Sequence, residues 1–137
     1  MLPQPQIEVG TWLAGRRRAA AIDVSDGLAL DLHRLCRESG AGACIDASAL
    51  MPAKGFCRLC AKLEMDPLAT ILGGGEDYAL LFCLPPRVRP PDWCAGTRIG
   101  RLETVAGVRL LTAEGIEPLA AAGWDHFDPG CDSSNRA

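Results

Sequence analysis

In the segment IDVSDGLALDL, residues 22–32, two carboxylates stand three residues apart, Asp23 and Asp26, with Ser25 between them and Gly27 after them. Carboxylate oxygens suit a hard cation such as Mg2+, which readily shares its ligands with phosphate groups. A helix beginning just beyond them would offer unpaired N–H groups and a positive dipole end to an anion. Together the parts describe a metal–phosphate site in which the acids hold the cation while the hydroxyl and backbone amides hold the phosphate. A plainer reading stands beside it: Ser25 or Asp26 only caps the helix, and Asp23 faces water. A second constellation is GGGEDY, residues 73–78, where three glycines permit close approach of a ligand and Glu76 and Asp77 follow at once. It is not a Walker A loop, because the Lys-Ser/Thr ending is missing and it leads into a strand. Its plain reading is a helix C-cap and a flexible connection. The third is GWDHF, residues 123–127, whose Trp124 could stack on a heteroaromatic ring. Its plain reading is a tail anchored by Trp124 and Phe127.

The elements that must position these residues show in the periodicity. AAAID (19–23) is an apolar run between arginines and the Ser-Asp-Gly turn, and reads as a buried strand. From Ser25 onward, Leu28, Leu32, Leu35 and Cys36 recur on one helical face, while Asp31, Arg34, Arg37 and Glu38 take the other. Gly40 suits the position that closes that helix. Asp23 therefore falls at the C-terminal end of a strand, where α/β sheets bind ligands. GACID (42–46) reads as a second strand, ASALMPAKG as a loop, and GFCRLCAKLEM (55–65) as a helix with Phe56, Cys60 and Leu63 on one side. Asp66-Pro67 opens a short helix that ends at Gly73–Gly75. DYALLFCLP (77–85) is the strongest strand, and TRIGRLE (97–103) and GVRLLTAEG (107–115) are two more, the last with a Glu-Gly turn. A short helix is expected over about residues 5–15. This order predicts an α/β (α+β) sandwich with a mixed sheet. Residues 1–128 are expected to form a single domain and 129–137 a disordered tail.

Composition narrows the function. The 137 residues, 48% hydrophobic, suffice for one domain with a real core. The net charge of −3 speaks against a dedicated nucleic-acid binder, and Arg16–Arg17–Arg18 reads as a solvated helix end rather than a phosphate contact. No apolar stretch reaches the ~18–20 residues of a membrane span. The start, MLPQPQIEVG, lacks the basic and apolar regions of a secretory signal, so a cytoplasmic chain without membrane partners is expected. Seven cysteines without such a signal do not suggest a disulfide framework. Cys36, Cys44 and Cys83 read as small core residues. Cys57 and Cys60 read as ordinary helix cysteines, since a zinc site would want a second pair or histidines at ligand spacing.

In combination the motifs are specific. IDVSDGLALDL, then GGGEDYALLF about fifty residues on, then RIGRL and a closing GWDHF resemble the C-terminal half of the thiamine-monophosphate kinases, in order from about Pro3 to Phe127. The Ser-Asp-Gly element alone is shared with the wider aminoimidazole ribonucleotide synthetase superfamily, which includes selenophosphate synthetase and the hydrogenase-maturation dehydratase; the closing WDHF points to the thiamine branch. Ala79 departs from the family's usual glutamate, and the CRLC pair is not a family feature. The resemblance implies a three-layer α/β/α fold with partial likeness to a ferredoxin fold. It also implies transfer of the γ-phosphoryl group of ATP to thiamine monophosphate, giving thiamine diphosphate, by direct in-line attack with no catalytic side chain. Asp23 and Asp26 would be Mg2+ ligands, Ser25 would contact ATP phosphates, and Glu76 and Trp124 would bind the substrate, with Asp77 and Tyr78 in support. Family members are two-domain homodimers. Their N-terminal domain, which carries further metal-binding aspartates and the dimer interface, is missing from this chain, so the chain alone is expected to be inactive and to expose an apolar interface. Two alternatives remain: another ATP-dependent enzyme of the superfamily, or a non-catalytic ligand-binding remnant.

Overall fold

A computed structural model describes residues 6–50, 52, 54–75 and 79–123. Its helices are α1 (Ile7–Ala14), α2 (Leu28–Ser39), α3 (Lys54–Lys62) and α4 (Pro67–Gly73), with a 3-10 turn at Ala47–Leu50. Its strands are β1 (Ala20–Val24), β2 (Gly42–Asp46), β3 (Ala79–Cys83), β4 (Gly100–Glu103), β5 (Val108–Thr112) and β6 (Gly115–Pro118). The architecture is mixed α/β, as the element order predicts. The mixed sheet has the order β4-β2-β5-β6, with β2 parallel to β5 and antiparallel to β4. β1 and β3 form a separate antiparallel pair, in register from Ala20 opposite Cys83 to Val24 opposite Ala79.

Helix α2 joins the two sheets. Its stripe of Leu28, Ala29, Leu32 and Cys36 is buried in one cluster with Val24 of β1, Ala43 and Ile45 of β2, Leu72 of α4, and Val108 and Leu110 of β5. Each fully buried leucine there stabilises the fold by about 1.5–3 kcal/mol. Gly40 stops α2 in the left-handed conformation at φ 61°, as expected. Asp66 caps α4 by accepting the Leu68 N–H at 3.0 Å, with Pro67 in the first turn.

Several expectations need correction. α2 is not capped by Ser25 or Asp26: its N-cap is Gly27, with no side-chain cap. Asp31 does not face water but is 1% exposed. Leu63 lies beyond the end of α3 and is 59% exposed, with Leu59 and Met65 also exposed nearby, because Glu64 turns the chain at φ 55°. β6 is a strand that periodicity does not reveal, since all four of its residues are exposed. Cys36 and Cys44 are buried as expected, while Cys83 is half-buried; burial pushes the Cys36 and Cys83 thiols above their ordinary pKa. The expected tail lies outside the described residues. Among the described residues no helix is long and apolar enough to cross a membrane.

Candidate functional site

The Ser25–Gly27 turn between β1 and α2 is held by a side chain from inside the helix. Asp31 Oδ2 accepts the backbone N–H groups of both Ser25 and Asp26, at 3.0 Å each. Its other oxygen accepts from Arg34 Nη1 at 2.9 Å, and the same guanidinium nitrogen donates to Asp26 Oδ2. The bond to Asp26 foremost holds the Arg34 guanidinium above its ordinary pKa. A buried carboxylate is tolerable only when its lone pairs are occupied in this way. The sequence did carry a signal for Asp31: it lies three residues after Leu28 and four before Leu35, on the flank of the apolar stripe. Arg34 follows at i+3, the spacing at which helical side chains meet.

Glycines of the three motifs come together at this turn through backbone contacts that a Cβ would obstruct. Gly27 has φ 122°, and a Cβ there would stand 3.1 Å from the Gly73 carbonyl oxygen and 3.2 Å from Gly123 Cα. A Cβ on Gly75 would lie 2.6 Å from the Ser25 carbonyl oxygen, and one on Gly123 would lie 2.3 Å from that of Asp26. The loop after α4 and the segment after β6 therefore both press their main chains onto the turn. Segments some fifty and a hundred residues apart in sequence meet at one point.

Asp23 sits on the exposed side of β1, opposite Leu80 in the register. The Ser25 hydroxyl has no hydrogen-bond partner among the described residues. Its backbone N–H and that of Asp26 are donated to Asp31. Asp26 is engaged by Arg34. Glu76 and Trp124, with Asp77 and Tyr78, lie outside the described residues; each of the two named first directly follows a glycine that touches the turn. The donor chemistry of Asp23 and Asp26 fits Mg2+, which is held by one or two carboxylates when phosphates and water complete its shell. Among the described residues no group of three or more His, Cys, Asp or Glu side chains could hold a metal by itself.

No family model matches the chain. It is 36% identical over 110 residues to the thiamine-monophosphate kinase of Methanopyrus kandleri, covering 80% of this chain and 35% of that protein. It is 35% identical over 128 residues to the thiamine-monophosphate kinase of Mycobacterium tuberculosis, covering 93% of this chain and 37% of that one. Among solved structures, AaThiL complexed with AMPPCP and TMP matches with a TM-score of 0.77 and 32% identity, over 91% of this chain and 38% of that one. Thiamine-monophosphate kinase from Stenotrophomonas maltophilia matches at a TM-score of 0.58 and 26% identity, over 79% of this chain. The chain thus spans a little over a third of the length of these relatives.

Proposed function

We infer, from a chain that is a relative of the thiamine-monophosphate kinases along most of its own length, that it forms the substrate-side part of such an enzyme. The reaction is transfer of the γ-phosphoryl group of ATP to thiamine monophosphate, giving thiamine diphosphate. One observation carries the reading: the Ser25–Gly27 turn, the Gly73–Gly75 loop and Gly123 converge on one point. The turn that carries Ser25 and Asp26 and the glycines that lead into the two further motifs meet there, which supports the reading.

Phosphoryl transfer demands positioning and charge neutralisation more than covalent chemistry. Asp23 and Asp26 are the side chains that would hold Mg2+. When bound, the cation neutralises phosphate oxygens that would otherwise repel one another. The Ser25 hydroxyl donates to a phosphate oxygen of ATP. Glu76 attracts the cationic thiazolium, and Trp124 offers it an aromatic face. The acceptor is a phosphate oxygen, already ionised near neutral pH, so no side chain acts as base. Arg34, paired with both Asp26 and Asp31, holds the turn in shape. An N-terminal domain of the complete kinase supplies further metal-binding aspartates and the homodimer interface, and the assembly works in the cytoplasm.

The test is isothermal titration of the chain with thiamine diphosphate and Mg2+, alongside Asp23→Ala and Trp124→Ala. Binding that needs Mg2+ and weakens in both variants is the expected result. Equal binding by all three proteins removes these residues from the site.

A further inference from the structure

One guanidinium nitrogen stands between two carboxylates beside the turn. Arg34 Nη1 donates to Asp31 Oδ1 at 2.9 Å and also to Asp26 Oδ2. The two acids differ in how readily they can change partners. Asp31 is buried, and its other oxygen accepts the Ser25 and Asp26 N–H groups, so it is committed to the fold. Asp26 precedes α2, and its side chain keeps 17% of its surface exposed. Asp31 and Arg34 stand three apart within α2, a spacing at which the helix itself brings side chains together. The anchor of Arg34 on Asp31 therefore does not depend on Asp26. The guanidinium can release Asp26 without leaving the face of the helix.

A carboxylate paired with a guanidinium has one oxygen engaged and its charge balanced. Mg2+ takes oxygen ligands in a near-octahedral array and gives up its own water reluctantly. An ion that takes Asp26 Oδ2 competes with Arg34 for that oxygen, and the guanidinium repels it at short range. A guanidinium that holds Asp26 about nine-tenths of the time lowers the apparent affinity for the ion about tenfold.

We propose that Arg34 is a resident counter-cation of the site: a divalent ion must displace it from Asp26, with Asp31 retaining it on α2, so Arg34 sets how tightly the site holds the ion. The proposal rests on the reading that Asp26 is a cation ligand.

The experiment is nitrogen-15 NMR of the whole chain, titrated with Mg2+ alone. In wild type the Arg34 Nε–H resonance should move with the same midpoint as the Ser25 and Asp26 amides. That of Arg37, paired with Glu38 on an exposed part of α2, should stay still. Arg34→Gln should bind Mg2+ about tenfold more tightly. Arg34→Lys keeps the charge and should return toward wild-type affinity. Arg37→Gln removes an equal charge away from the turn and should leave affinity unchanged. The wild-type measurement decides the matter even where a variant fails to fold. A still Arg34 resonance while the turn amides move overturns the counter-cation role and leaves the cation site standing. So does Arg34→Gln with no gain, or an equal gain in Arg34→Lys or Arg37→Gln. Binding that survives Asp26→Asn, or none by either wild type or Arg34→Gln, overturns the reading of Asp26 as a ligand and this proposal with it.

Discussion

Replacing Asp31 by asparagine keeps the shape of the side chain and removes only its charge and one acceptor. The carboxylate is 1% exposed and accepts two backbone N–H groups at 3.0 Å and the Arg34 guanidinium at 2.9 Å. An asparagine has a single acceptor oxygen. Turned either way, its NH2 faces donors: the Ser25 and Asp26 amides on one side, Arg34 on the other. Hydrogen bonds to a charged group contribute about 1.5–3 kcal/mol each, and orphaning a buried partner costs a similar amount. The Arg34 side chain is 28% exposed, so its share is discounted for screening, and the two amides dominate. The expected loss for Asp31→Asn is about 3 kcal/mol, a large part of the ~5–15 kcal/mol available to a domain. With an unfolding entropy of roughly 0.3 kcal/mol/K for a chain of this size, Tm should fall by about 10 °C. Urea unfolding followed by circular dichroism should show an unchanged slope and a midpoint lower by about 1.5 M. Asp92→Asn, at an exposed position, is the control and should move neither. A loss below about 1 kcal/mol, or one matching the control, would refute the claim that Asp31 organises the turn.

The close packing of the glycines makes a contrasting pair. Gly75→Ala, with backbone 2.6 Å from its Cβ, should lose about 1–3 kcal/mol on urea titration, whereas Gly55→Ala, with open space around it inside α3, should gain about 0.5–1 kcal/mol; a neutral Gly75→Ala would deny the contact. Asp46 accepts the Ser48 hydroxyl at 2.7 Å and the Ser48 N–H at 2.8 Å, and the hydroxyl bond foremost holds its carboxyl below the ordinary value of 3.8. A carboxyl depressed in the folded state contributes stability above its unfolded pKa and loses it as pH falls through the folded one. Ser48→Ala should therefore lower Tm slightly at pH 6, with the difference narrowing as the pH falls through and below the ordinary carboxyl range. A gap of constant size down to pH 2 would contradict this origin.

Local pattern carried much of the fold. β2 occupies residues 42–46, as GACID indicated, and β1 and α2 lie within a residue or three of the expected bounds. Gly40 and Asp66-Pro67 mark helix ends in the structure as in the sequence, because capping and left-handed turns depend on residues only a few positions apart. Backbone pairing was less legible. β1 could have joined the mixed sheet on pattern alone, and its pairing with β3 is a contact across more than fifty residues. β6 has no buried face, so no alternation marks it.

The site divides along the same line. The sequence by itself determined which residue types stand beside one another: Asp23, Ser25 and Asp26 at a strand-to-helix turn, the glycines before Glu76, and Gly123 before Trp124. Periodicity also names the face of α2 on which Asp31 and Arg34 fall, but not what covers that face. Only the tertiary structure decided that Asp31 is buried beneath the turn, that its oxygens take the Ser25 and Asp26 amides, and that Gly75 and Gly123 touch the same backbone. A helical period or a cap is a property of neighbours along the chain. Burial of a charge and close approach of two backbones depend on a distant segment arriving there, and no local pattern encodes that arrival.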